Sequence, residues 1–138
     1  MLTEDTAMQL LRFEHINLSC QDLETSQQFY QTLFPDWFVR AKGEWQNERW
    51  IHFGDRKFYL ALNESPDAER TQYPYEGIGI NHIGFVIDDG EKMKAVLEAN
   101  GIEYCTMDAP ETKFRIYVSD PDGNEIELVE YQDAYELR

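Results

Sequence analysis

The sequence predicts an α+β fold of two βαβββ modules that form a cupped, barrel-like mixed sheet with the helices outside. Three observations predict it. The segments His15-Ile16-Asn17-Leu18 and His82-Ile83-Gly84-Phe85 read alike, and the acidic pairs Asp22/Glu24 and Asp89/Glu91 follow them at the same offset. One helical pattern and several short strand-like runs then follow in each half. The 138 residues, 42% hydrophobic and 14% aromatic, suit one domain with enough apolar material to outweigh chain entropy. The expected organisation is a single domain over 1–138, with module one about 12–63, a linker about 64–79 and module two about 80–131.

Module one opens on a strand in which Ile16, Leu18 and Cys20 alternate with polar neighbours, the period of a half-buried strand. Asp22 and Glu24 suit a helix N-terminus, where free amides and the macrodipole favour negative charge. The helix is expected over about 24–33, with Phe29, Tyr30 and Leu33 on one face. Short strands are expected at 37–39, 49–53 and 58–63, the last two joined through Gly54-Asp55-Arg56-Lys57. The polar stretch 64–79, with Pro66 and Pro74, reads as the linker.

Module two repeats the order. Ile83, Phe85 and Ile87 alternate, and a helix at about 91–99 carries the stripe Met93, Val96 and Leu97. Asn100-Gly101 then signals its C-cap. Strands are expected at 104–107, 114–118 and 125–131. Between the last two, Asp120-Pro121-Asp122-Gly123-Asn124 marks a tight turn, because Pro presets φ while Gly and Asn tolerate positive φ.

Charge narrows the partners. With 27 acidic and 12 basic residues the formal charge is −15, and no Lys/Arg cluster interrupts it. Such a field repels phosphate backbones and anionic lipid, so neither nucleic acid nor membrane is an expected partner. Residues 1–11 contain Glu4 and Asp5 without a basic start, and no run approaches the roughly twenty apolar residues of a membrane helix. A cytoplasmic location is expected. Cys20 and Cys105 lack a CxxC partner and are expected to be free, small core residues.

One helix per module covers one face of its strands, so side-chain parity separates core from site. In the first strand of each module the apolar residues take the helix side, leaving His15 and His82 on the other. In the last strand Ile126 and Leu128 take the helix side, leaving Glu127 with the histidines. If the half-sheets curl around a shared cavity, two imidazoles and one carboxylate meet there, a donor set for a divalent metal. A lone strand histidine is more often a surface or packing residue than a ligand. Here the joint placement at equivalent positions of a repeat, in a chain with three histidines, carries the reading. His52, between Trp50 and Phe53, either faces the cavity as an acid or base or packs on the helix side. Trp45, Trp50, Tyr59 and Tyr117 suit a pocket for a planar ligand, and equally a core.

The runs His15-Ile16-Asn17-Leu18 with Phe29-Tyr30, Asn81-His82-Ile83-Gly84-Phe85, and Asp120-Pro121-Asp122-Gly123-Asn124-Glu125-Ile126-Glu127-Leu128 resemble the vicinal-oxygen-chelate superfamily of glyoxalases, bleomycin-resistance proteins and extradiol dioxygenases. The resemblance covers nearly the whole chain after Leu11, and the closing run is its most specific part. It implies a metal between paired βαβββ modules that chelates vicinal oxygens of a small-molecule substrate. The implied ligands are His15, His82 and Glu127, the ion Fe, Zn, Ni or Mn. Because such proteins pair modules within or between chains, it also implies a homodimer.

The sequence departs from the glyoxalase pattern at Ala61. Leu60-Ala61-Leu62 aligns with Ile126-Glu127-Leu128, so alanine stands where glyoxalase-type members carry a fourth ligand, and two-carboxylate proton shuttling loses a base. Three ligands with open positions are closer in number to the two-His-one-carboxylate set of extradiol dioxygenases, in which a cavity tyrosine sits as Tyr117 does here. The implied function is Lewis-acid chemistry by a metal-dependent lyase, isomerase or ring-cleaving oxygenase. Glu127 would double as a base, Tyr117 and His52 are further catalytic candidates, and Trp50, Tyr59, Asn17 and Ala61 are candidates to contact substrate. The alternative is a metal-free small-molecule binding protein of the bleomycin-resistance type. Three ligand-type residues favour the enzyme over the binder, while Ala61 keeps open a structural or regulatory module with a vestigial metal site.

Overall fold

Hydrophobic alternation and acidic helix starts build the same unit twice. In the computed structural model, which describes residues 7–133, module one comprises β1 (His15–Cys20), α1 (Leu23–Leu33), β2 (Phe38–Trp45), β3 (Glu48–Gly54) and β4 (Tyr59–Glu64). Module two comprises β5 (His82–Val86), α2 (Gly90–Ala99), β6 (Cys105–Thr106), β7 (Thr112–Ser119) and β8 (Glu125–Tyr131). The two aspartates are equivalent N-caps: Asp22 accepts the Thr25 amide and Asp89 the Lys92 amide, both at 3.0 Å, satisfying donors that no helical carbonyl reaches. Gly90 opens α2 because a Cβ there would lie 2.2 Å from a Phe114 ring atom. The helix approaches β7 only without a side chain at that position.

The eight strands bond as two four-stranded sheets, in the orders β1-β4-β3-β2 and β5-β8-β7-β6. The β1/β4 and β5/β8 pairs are parallel and the others antiparallel. Strand β2 runs well past the expected 37–39. Gln46 and Asn47 take positive φ, 51° and 67°, giving a two-residue turn whose twist matches the strands it joins. No Gly or Pro announces it.

The helix sides of both sheets bury one shared core. Tyr30, Leu33, Phe53, Leu60 and Leu62 of module one cluster with Leu97, Ile116, Ile126 and Leu128 of module two. Phe85 crosses between modules, its ring centroid 4.9 Å from Phe34 and 5.8 Å from Trp37. The 120–124 turn is a second joint. Buried Asp120 accepts the amides of Asp122 and Asn124 through Oδ1 at 2.9 and 2.8 Å, and its Oδ2 accepts Tyr30 Oη from α1 at 2.6 Å. Burial, and then the Asp120 charge, hold the Tyr30 phenol well above its ordinary pKa, so it stays a donor. Asp122 accepts the Gln21 amide at 3.0 Å and Ser26 Oγ at 3.2 Å. The most specific motif of the chain thus fastens module two to module one.

Both cysteines are free, but only Cys20 is buried. The expectation of a core Cys105 fails because β6 is an edge strand, where Cys105 pairs with Tyr117 of β7 and is exposed. Among the described residues no helix is long and apolar enough to cross a membrane.

Candidate functional site

With the helix sides spent on the core, the chemistry falls on the opposite faces. On the sheet of module one, β1 pairs His15 with Tyr59 and Asn17 with Ala61, while β3 pairs His52 with Ala61 and Trp50 with Asn63. Paired residues share a face, so His15, Asn17, Trp50, His52, Tyr59 and Ala61 lie together. The open question over His52 closes on the side away from the helix. His52, Tyr59 and His15 form a stack, with centroids 4.4 Å and then 4.8 Å apart, and Trp50 lies 4.8 Å from His52. The Arg40 guanidinium sits 4.5 Å above the Tyr59 ring, a cation–π contact. Trp45, another candidate, is 67% exposed.

Ionisation on this face follows from its neighbours. Glu14 holds His15 Nδ1 at 2.8 Å and accepts Tyr59 Oη at 3.3 Å, and the His15 contact lowers its pKa. Burial, followed by the charges of His15 and Arg40, lowers the pKa of His52, so its neutral imidazole is favoured.

The second face carries the carboxylate. Glu127 pairs with Gly84 on β5 and Tyr117 on β7 and is only 8% exposed. Its Oε2 lies 2.9 Å from His82 Nε2 and its Oε1 3.2 Å from Arg115 Nε. The second contact is an ion pair only, because Arg115 Nε makes no hydrogen bond. Tyr117 stands edge-on to His82 at 6.2 Å. Burial, then the Glu127 charge, raises its pKa, so the phenol keeps its proton at neutral pH. Tyr75 of the linker also reaches this face: its Oη donates to Glu125 at 2.6 Å and lies 3.2 Å from His82 Nδ1.

The single chain therefore gathers His82 with Glu127 and places His15 with His52 and Tyr59 on the other sheet. Among the described residues, one set of three potential ligands has its atoms within 4.8 Å of one another, and it is Asp22, Glu24 and Glu64, not His15, His82 and Glu127. Arg49 occupies that acidic cluster, 2.7 Å from Glu24 and 2.6 Å from Glu64, which makes it a salt-bridge network. Among the described residues the apolar side chains shared by the two modules lie on the helix sides of their sheets, so His15 stands on a different face from His82 and Glu127 within one chain.

Tyr75, Arg115, Glu125 and Arg40 were not singled out from sequence. Arg115 and Glu125 share the parity of Tyr117 and Glu127, which was a usable signal. Arg40 lies at a register shift of β2 and Tyr75 on an aperiodic linker, so neither had one.

Residues 12–128 match the family model described as Glyoxalase/Bleomycin resistance protein/Dioxygenase superfamily. The chain is 28% identical over 125 residues to the metallothiol transferase FosB of Lysinibacillus sphaericus, covering 88% of this chain and 83% of that protein. Among solved structures, a glyoxylase/bleomycin resistance protein/dioxygenase domain from Frankia superposes with a TM-score of 0.77 at 17% identity, covering 92% of this chain and 96% of that one. The fosfomycin resistance protein FosX of Listeria monocytogenes, in complex with Mn(II) and sulfate, gives 0.71 at 21%, covering 94% and 100%.

Proposed function

Because the chain belongs to the glyoxalase/bleomycin resistance protein/dioxygenase superfamily, we propose that it is a metal-dependent enzyme acting on a small, oxygen-rich substrate. His82 and Glu127 of one copy and His15 of a second would hold the ion. The observation that carries the reading is the approach of His82 Nε2 to Glu127 Oε2, 2.9 Å apart, on a face of the sheet that the helices do not cover. The donor set fits a divalent ion: two imidazoles and one carboxylate that is already desolvated.

A second copy is part of the proposal because each sheet carries an incomplete set. The surface supports it: Met8, Leu10 and Leu11 are more than 80% exposed, and Phe13, Trp45, Val86 and Met107 more than half. Met8, Leu10, Leu11 and Phe13 form one exposed apolar run beside His15, and a contiguous apolar surface of this kind suits a partner.

A divalent ion held there supplies Lewis acidity toward a substrate carbonyl, enolate or catecholate. The chain's own residues would do the rest. Arg115 neutralises one oxygen of Glu127 and leaves the other as ligand or proton acceptor. Tyr117 keeps its phenolic proton and can donate it, while His52, favoured neutral, can accept one. Trp50, Tyr59 and Asn17 would flank a planar ligand. Ala61, buried beside Asn17, brings no fourth donor, so coordination positions stay open to substrate.

Elemental analysis of untagged protein tests this. About one Fe, Zn, Ni or Mn per chain is expected, lost in His15→Ala, His82→Ala and Glu127→Ala. Protein that takes up none of these ions, even when they are added, refutes the enzyme reading and leaves the metal-free binder.

A further inference from the structure

We infer that Tyr75, on the linker between the modules, is a positioning residue that turns the His82 imidazole so that Nε2 is its ligating nitrogen. The inference rests on the metal reading above and adds to it a residue from outside both modules.

The backbone is the first sign. Tyr75 has φ 66°, a left-handed conformation that a bulky L-residue seldom adopts unless its surroundings impose it. The imposing contact is local: the Tyr75 amide donates to Asn81 Oδ1 at 2.9 Å, one residue before His82. This bond folds the linker back so that the tyrosine ring reaches the start of β5.

The hydroxyl is the second sign. A phenol carries one hydrogen, and Tyr75 commits it to Glu125 Oε2 at 2.6 Å. At its 3.2 Å contact with His82 Nδ1 the oxygen can then only accept, so it favours a hydrogen on Nδ1. In the metal-free ring Glu127 Oε2, 2.9 Å from Nε2, competes for that hydrogen; with a cation at Nε2 in its place, the Nδ1 bond to Tyr75 leaves Nε2 as the ligating nitrogen. Module one reaches the same end with different parts: Glu14 holds His15 Nδ1 at 2.8 Å. Support of the distal nitrogen by a carboxylate, directly or through a hydroxyl, is how proteins fix the tautomer and orientation of a metal-binding histidine.

Tyr75→Phe removes the hydroxyl alone, and because Tyr75 is 60% exposed the fold survives the change. Long-range proton–nitrogen spectra of the metal-free protein in alkaline buffer resolve its three histidines, with His82 identified by its loss in His82→Gln. The parent should show His82 exchanging between the Nδ1 and Nε2 tautomers, and Tyr75→Phe the Nε2-protonated form alone, the one that Glu127 favours. In parallel, chelator competition should show Mn(II) held about tenfold more weakly by Tyr75→Phe, with an unchanged thermal transition. A parent that binds Mn(II) while Tyr75→Phe leaves both the His82 spectrum and the affinity unchanged overturns the role of Tyr75 alone. A parent that binds none of Mn, Zn, Ni or Fe overturns the metal reading, and the inference with it.

Discussion

Removing one oxygen atom tests the joint between the modules. Tyr30 is fully buried, and its Oη donates to the buried Asp120 at 2.6 Å, a hydrogen bond to a charged group with little water to replace it. Such bonds contribute about 1.5–3 kcal/mol. In Tyr30→Phe the carboxylate keeps Asn124 Nδ2 at 2.8 Å and two backbone amides, so no bare charge is created and the lower part of that range applies. The expected loss is about 2 kcal/mol, or about 6 °C in Tm for a domain of this size. Urea unfolding at fixed protein concentration measures it. A double-mutant cycle with Asp120→Asn should return a coupling of about 1 kcal/mol or more. A loss under about 0.5 kcal/mol, or no coupling, would mean that the turn is held by its own backbone bonds and that the cross-module contact contributes nothing.

Two further outcomes concern stability. Gly90→Ala should lose about 1–3 kcal/mol in urea unfolding, since its Cβ would meet the Phe114 ring; a neutral result would show that the start of α2 shifts without cost. The Arg49 contacts, followed by the Leu23 amide, lower the Glu64 pKa from 4.5 to about 2. A depressed carboxylate pKa stabilises the fold above the unfolded value, and that contribution disappears as pH falls from 4.5 toward 2. In Arg49→Met the loss over this window should be smaller. An acid unfolding curve that matches the parent would remove the network from the account.

The fold was legible because it rests on local signals repeated twice. Ile16 and Leu18, like Ile83 and Phe85, alternate strongly enough to mark the helix-facing side, and Asp22 and Asp89 mark both helix starts. What failed to read was one turn without the usual residues, and contacts that are non-local. Strand β2 lengthens through Gln46-Asn47, a turn without Gly or Pro. The face of His52 needed its pairing with Ala61, because a register shift in β2 breaks any count from the neighbouring strand. Parity correctly separates His15, His82 and Glu127 from the core, yet it carries no information on which two faces meet. That is decided by packing on the other side, where Phe85 of module two enters the aromatic cluster of Phe34, Trp37 and Phe58. Tyr75 was invisible for the same reason: a linker has no period, and only the fold brings residue 75 to residue 82.

The most direct test of the proposed centre mixes two crippled proteins. His15→Ala and Glu127→Ala are each expected to bind no Mn(II). If the ligands come from two copies, subunit exchange in an equal mixture makes half of the dimers mixed, and each mixed dimer has one intact site. Binding should return to about one quarter of the parent's sites for a two-fold symmetric pair. A mixture as empty as its components would contradict a centre shared between copies, and single variants that bind like the parent would contradict the ligand set itself.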